Sequence, residues 1–479
     1  MSIQEHVTRA SDPAAHRSES AETVTGRTPA ELSAYHRAMA SLRGRRNTVA
    51  TWWLAAMALV GGVVMALTVE SIFPIVLSTS GVLDAISVVS AAAGTLGILF
   101  LVVLASRVPA LEKAVGQDGL IAWHKVLGPV SLWLIAVHIT ATVLSTAFAA
   151  TGNAVSATIS FLFSDGDLIL ALLGALVFLL GGVTSWSKVR GRLPRSLWWS
   201  IHLSLYAGII LAFFHQITAG GPFVSGLSKV LWIGVYVGVA AVVVVYRVLR
   251  PLMASNRHAI RVEAVVNESP GVVSIWMRGH KLEELGVEPG QFMSFRFFTA
   301  GLAWHAHPFS VSAVPGNGLV RITVAEAGRA TQRMRYLRAG TRVSVEGPYG
   351  VLTPMHFGGE RAVLVGGGVG IAPLIPLARE FAQQGVRTDV VYRVSTSQRA
   401  PLLQELEDLD RDGWIRLHVL AGPRLTQPLH AARLRSLLGD VSQAEIYLCG
   451  PTGMTNEVRV AARALGTAPD RIHSELFQM

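Results

Sequence analysis

Six apolar stretches lie between residues 48 and 250, near 48–68, 82–105, 120–147, 167–186, 197–218 and 228–249. Each has about the 20 residues that a helix rising about 1.5 Å per residue needs to cross the hydrocarbon of a bilayer. Lipid offers backbone groups no hydrogen bonds, so such a stretch has to satisfy its own as a helix, and six in succession predict a six-helix transmembrane bundle. The 51% hydrophobic content of the 479 residues is concentrated in this region.

The connections set the expected orientation. Arg37, Arg43, Arg45 and Arg46 precede the first stretch, Arg107 and Lys113 follow the second, and Lys188, Arg190, Arg192 and Arg195 follow the fourth. Segments 69–80, 148–164 and 219–227 contain no Lys or Arg. Basic residues favour the cytoplasmic side, so a multi-pass cell-membrane protein with both termini in the cytoplasm is expected. The same clustering accounts for the net charge of +10, and nucleic acid is not expected as a partner. Residues 1–47 are rich in Ser, Thr, Ala and Arg and lack the apolar run of a cleavable signal, so they are expected to be a flexible cytoplasmic tail. The single cysteine, Cys449, excludes an internal disulfide and an all-cysteine iron–sulfur cluster within the chain, and the absence of C-x-x-C-H excludes covalent haem attachment.

Four histidines stand inside the spans, His124 and His138 on the third, His202 and His215 on the fifth. An ionisable side chain in a span is costly and therefore a functional candidate. The third and fifth helices run the same way, so His124 shares a level with His202 and His138 with His215. The two levels are about 20 Å apart, room for two stacked haems, each clamped between two neutral imidazoles. Two axial imidazoles leave no open site and favour electron transfer over oxygen chemistry at the metal. One difficulty arises: at about 100° per residue, 14 positions return His138 to nearly the face of His124, whereas 13 leave His215 about 140° from His202. The fifth helix is therefore expected to be bent, irregular or obliquely crossed, with Gly208 as a weak point.

After Arg250 the pattern becomes short alternating runs, Ala259 to Val266, Val272 to Met277, Gln291 to Phe298, Val320 to Ala325 and Arg342 to Glu346, as expected for a small antiparallel barrel. From about residue 360 strands alternate with helices, which predicts a parallel sheet covered on both faces. The expected organisation is a tail (1–47), a transmembrane haem domain (48–250), a β-barrel (255–355) and an α/β nucleotide-binding domain (360–479).

The histidine spacing resembles the ferric reductase and NADPH oxidase superfamily, whose six-helix membrane domain holds two b-type haems, and the resemblance extends over nearly everything after the tail. It implies that His307-Pro308-Phe309-Ser310 is the flavin-binding signature of a ferredoxin reductase-like barrel and that the turn at Gly328, with Thr331, receives the FAD pyrophosphate. Gly347-Pro348-Tyr349-Gly350 is similar to the segment that ends the family's barrel. Gly366-Gly367-Gly368-Val369-Gly370-Ile371-Ala372-Pro373 resembles the family's strand-to-helix loop, where Gly366, Gly368, Gly370 and Pro373 let a nicotinamide dinucleotide approach the backbone. Cys449, followed by Gly450 and Pro451, is implied to stand near the nicotinamide, and Phe477 to be the terminal aromatic over the flavin ring. Arg393 and Arg399 follow the second strand of this domain with no acidic residue at its end, so NADPH is expected, with NADH the alternative.

The expected activity is that of an NAD(P)H-dependent flavocytochrome b reductase: NADPH, FAD, the haem on His124 and His202, the haem on His138 and His215, then an extracytoplasmic acceptor, a ferric chelate or dioxygen. Ferric reduction is favoured over superoxide production. The resembling oxidases carry a further histidine where this chain has Thr142, and a basic residue on the first span, where residues 48–68 have none. Electron delivery to a partner protein is a third reading. No EF-hand loop occurs, so calcium control is not expected, and a homo-oligomer is left open.

Overall fold

The structure is a computed structural model that describes residues 29–72, 79–219, 221–423 and 426–474. It divides into two compact bodies, one of residues 50–111 and 119–247, the other of residues up to 49, 112–118 and 248 onward.

Among the described residues, six helices are long and apolar enough to cross a membrane. They are α1 (Pro29–Ile72), α2 (Thr79–Ala105), α3 (Pro109–Ala149), α4 (Gly166–Ser185), α5 (Arg195–Thr218) and α6 (Gly226–Val243). Helix α1 begins well before the predicted first span, so residues 29–47, expected as flexible tail, are helical, while residues 1–28 lie outside the described residues. The outward faces of the membrane body are apolar: Trp133 is 73% and Phe148 68% exposed. Water penalises such surface, whereas acyl chains do not.

Inside this body small residues set the helix contacts. A β-carbon on Gly174 of α4 would lie 3.0 Å from the carbonyl oxygen of Gly208 on α5, and one on Gly97 of α2 would lie 2.3 Å from the Ser131 hydroxyl on α3. Close backbone approach through small residues is the packing mode available where lipid is as apolar as leucine. Gly208, the weak point expected in α5, lies inside one uninterrupted α-helix and is a packing contact. The proline in the interior of these two histidine-bearing helices is Pro129 of α3, between His124 and His138; Pro109 stands at the first position of α3.

The second body holds two sheets. Strands β1 (Arg261–Ser269), β2 (Val272–Arg278), β3 (Phe292–Phe297), β4 (His307–Gly316), β5 (Leu319–Ala325) and β6 (Val343–Tyr349) form an antiparallel sheet in the order β1-β2-β5-β4-β3-β6. Its two edge strands meet: Val343 N–H donates to Ile260 O at 2.9 Å and Val262 N–H to Thr341 O at 2.9 Å. The inward residues, among them Ile275, Phe295, Phe297, Val311 and Ile322, are fully buried. Parallel strands β7 (Arg361–Gly367), β8 (Arg387–Val394), β9 (Arg416–Ala421), β10 (Ala444–Cys449) and β11 (Ile472–Ser474) follow, in the order β11-β10-β7-β8-β9. Helices α7 (Leu374–Gln383), α8 (Leu403–Arg411) and α9 (Thr452–Ala464) alternate with them. Every residue of β10 is buried, the pattern of a strand covered on both faces.

Helix α1 contributes to this second body. Tyr35 joins the core of Phe357, Phe381 and Tyr447, Met39 packs beside it, and Arg46 forms an ion pair with Glu288.

Candidate functional site

All four spanning histidines are half-buried and meet in the expected pairs. The ring centroids of His124 and His202 are 6.0 Å apart, and those of His138 and His215 are 6.5 Å apart. Both pairs form although α5 is one uninterrupted α-helix from Arg195 to Thr218, so the offset of about 140° does not require a break in it. An imidazole nitrogen ligates a metal at about 2 Å, and its ring centre lies roughly 1 Å further back, so two axial rings across one metal stand about 6 Å apart. Both pairs have that spacing. Each also supplies two ligands only, and among the described residues no three His, Cys, Asp or Glu side chains converge on a metal position. Two axial imidazoles are what an iron already held in a tetrapyrrole lacks, so the residues fit haem. The buried Nδ1 of His215 has no hydrogen-bond partner.

Around the pairs lie aromatic and polar side chains. Trp198 stacks on His202 with centroids 5.1 Å apart, and the guanidinium of Arg190 sits 4.2 Å above Trp198. Next to His215, the Gln216 carbonyl accepts from Trp232 Nε1 and from the Tyr236 hydroxyl, each at 2.9 Å, which fastens α5 to α6.

In the second body, His307, Pro308, Phe309 and Ser310 open β4 and pair with Phe295, Ser294, Met293 and Phe292 of β3. The Ser310 hydroxyl and His307 Nε2 are buried without a hydrogen-bond partner. Such orphaned groups carry a desolvation cost that a polar ligand removes, so this strand fits a bound flavin. Burial also pushes the His307 imidazole below its usual range, with His305 adding to the effect. Gly328 precedes a helix of only six residues, Arg329–Met334, and its N–H donates to the Thr331 hydroxyl at 2.9 Å, so the chain makes a short, self-capped turn there.

The two glycine motifs of the parallel sheet, some eighty residues apart in sequence, meet. Cys449 is the register partner of Gly366. A β-carbon on Gly370 would lie 2.5 Å from the Cys449 carbonyl oxygen, so glycine is required there by space; Gly368 is required by its φ of +54°. The loop itself forms a tight turn, Gly368–Ile371, and α7 begins after Pro373. Arg393 is the penultimate residue of β8, with Nε donating to Gln427 O at 3.0 Å and Nη2 buried without a partner, while Arg399 is exposed in the following turn. Phe477 lies outside the described residues.

Two family models match this chain, the ferric reductase like transmembrane component over residues 90–213 and the FAD-binding domain over residues 259–353. Over these two segments the chain resembles the ferric reductase and NADPH oxidase superfamily. The first match takes in His124, His138 and His202 of this ferric reductase-like protein and stops short of His215. Curated relatives include the vanillate O-demethylase oxidoreductase of a Pseudomonas species, 34% identical over 141 residues, 29% of this chain and 43% of that protein. The ferredoxin–NAD(P)(+) reductase component of the naphthalene 1,2-dioxygenase system of Pseudomonas putida is 26% identical over 211 residues, 40% of this chain and 60% of that one. The chain therefore spans about half the length of these relatives. Among solved structures, a ferredoxin NADP+ reductase from Neisseria gonorrhoeae with bound FAD and NADP is 18% identical at a TM-score of 0.40, covering 45% of this chain and 96% of that one.

Together these findings describe a chain with helices long and apolar enough to cross a membrane, a ferric reductase-like transmembrane component and, after it, an FAD-binding domain. Gln216, Trp198 and the Ser87 hydroxyl near His138 were not singled out from the sequence. Only a polar residue beside a spanning histidine, as Gln216 is, offered a signal there.

Proposed function

We propose that this ferric reductase-like chain takes electrons from cytosolic NADPH, with NADH the weaker alternative, and delivers them to a ferric complex on the other face of the membrane. The observation that carries the reading is the meeting of four spanning histidines as two facing pairs on the same two helices. His124 with His202, and His138 with His215, would hold two b-type haems. His307, Pro308, Phe309 and Ser310, with Gly328 and Thr331, would hold FAD. Gly366, Gly368, Gly370, Pro373, Gly450 and Pro451 would cradle the dinucleotide and Arg393 and Arg399 its 2′-phosphate, with Cys449 at the nicotinamide and Phe477 at the flavin. When bound, the flavin converts two-electron hydride chemistry into single electrons and the haem irons carry them.

The chain's own contribution is position and environment. The facing imidazoles of each pair would hold a haem iron between two spanning helices, an arrangement that favours electron transfer over oxygen chemistry at the metal. Glycines at 366, 368 and 370 bring backbone N–H groups to a ligand surface that side chains would obstruct. The absence of a basic residue in 48–68 and the presence of Thr142 support a ferric acceptor over dioxygen.

Purified protein is expected to show a reducible b-type spectrum with two haems per chain, falling to about one in both His124→Ala and His215→Ala. Full haem content in either variant sinks the reading. NADPH-driven reduction of a ferric chelate that superoxide dismutase does not inhibit supports the ferric acceptor; dismutase-sensitive reduction of cytochrome c supports the oxidase instead, and silence in both supports a partner protein.

A further inference from the structure

The imidazole of His138 is held from behind by helix α2. Its Nδ1 lies 2.9 Å from the Ser87 hydroxyl and 3.1 Å from the Ser87 carbonyl oxygen. A carbonyl oxygen only accepts, so at that distance Nδ1 carries the proton and Nε2 keeps its lone pair. The hydroxyl protons then have one consistent order. Thr142 donates to the His138 carbonyl at 2.9 Å, so its oxygen accepts from the Ser87 hydroxyl at 2.7 Å. The Ser87 oxygen in turn accepts from Nδ1–H. The hydrogen bonds close a ring that starts and ends on the same histidine and is sheltered by a Ser87 that is 6% exposed.

The two histidines of α5 lack this support. The Ser185 hydroxyl is 3.5 Å from Nδ1 of His202, at the outer limit of a hydrogen bond, and Nδ1 of His215 has no partner.

Resting on the haem reading of the four histidines, we propose that Ser87 is a positioning residue for the haem of the His138–His215 pair. With Thr142 it fixes the Nδ1–H tautomer, leaves Nε2 to ligate, and makes the imidazole a stronger donor. A stronger donor favours ferric over ferrous iron, so this haem is held at a lower potential than it would otherwise have. Thr142 thereby has a defined role, as the hydroxyl that closes the ring.

The test is a redox titration of the purified full chain, followed in the haem absorption bands and by low-temperature electron paramagnetic resonance, for wild type, Ser87→Ala, Ser87→Thr and Thr142→Val. Ser87→Ala is expected to keep two haems and to shift one of them toward the ferrous form by about threefold to tenfold, the worth of one hydrogen bond. For a one-electron couple that is roughly 30 to 60 mV upward. The other haem stays in place, Thr142→Val moves the same haem the same way by less, and Ser87→Thr restores it. Loss of one haem in Ser87→Ala with retention in Ser87→Thr is the stronger form of the same result. An equal shift of both haems, no shift in either, loss of both together, or a change that Ser87→Thr does not restore overturns the proposal. A wild-type chain that binds no haem overturns instead the reading on which the proposal rests, and that is seen before any variant is made.

Discussion

His356 shows how much a single side chain depends on its surroundings. Burial, with His473 and Arg43 nearby, pushes its imidazole down to about 4. In the unfolded chain the value is about 6.5. Between the two, the unfolded state binds a proton that the folded state refuses, so stability is full above about 6.5 and falls as pH drops toward 4, by about 2 to 3 kcal/mol. The melting temperature of the full-length chain is expected to decline over that window and the decline to be shallower in His356→Gln; equal slopes would show that other groups carry the dependence. Neighbouring residues of this kind are invisible in sequence, because Arg43, His356 and His473 come from three distant segments. The glycines at 368 and 370 stood out in the sequence, but the reason for Gly370 is the carbonyl of Cys449, 79 positions away.

Among the elements, strand β5 and helix α8 are joined by charge. Arg321, its side chain 5% exposed, pairs through both terminal nitrogens with Glu405, which also accepts from Arg379 at 2.8 Å. Arg321 holds Ser312 of β4 as well, through Nε to the hydroxyl and Nη2 to the carbonyl, each at 3.0 Å. The antiparallel sheet is thus tied to a helix of the parallel one. Removing one member of a buried pair leaves an uncompensated charge, and with Glu405 one quarter exposed the loss is about 1 to 3 kcal/mol. Glu405→Gln is expected to lower thermal stability by that amount, and Arg321→Met combined with Glu405→Gln to recover part of it in a double-mutant cycle. No recovery would mean that Glu405 acts by shape and not by charge. Helix α1 teaches the opposite lesson about legibility. A Ser-, Thr- and Arg-rich segment reads as a tail from composition, yet Tyr35 and Met39 give it an anchor on the Phe357 cluster, and two apolar side chains one helical turn apart are too weak a periodicity to announce that.

For the molecule as a whole, the decisive claim is passage of electrons through the membrane body. In sealed vesicles with the reductase module outward, NADPH added outside is expected to reduce a ferric chelate trapped inside, and His215→Ala to abolish this while NADPH still reduces the flavin. Reduction confined to external chelate would show that electrons leave from the module itself. The six spans, their spacing, the two sheet types and the two pairs of histidines were legible in the residues alone, because solvent imposes them: lipid demands about twenty apolar residues per helix, and burial on one or two faces of a sheet dictates alternation or a continuous apolar run. What only the tertiary structure decided is which groups finish those sites. The role of Gly208 as a packing contact, the contact of the Gly370 loop with Cys449, and the hydroxyl ring behind His138 each join residues far apart in sequence through distances of a few ångströms. A local pattern fixes the direction in which a side chain leaves its helix or strand; the atom that it meets there is set by the packing of another element.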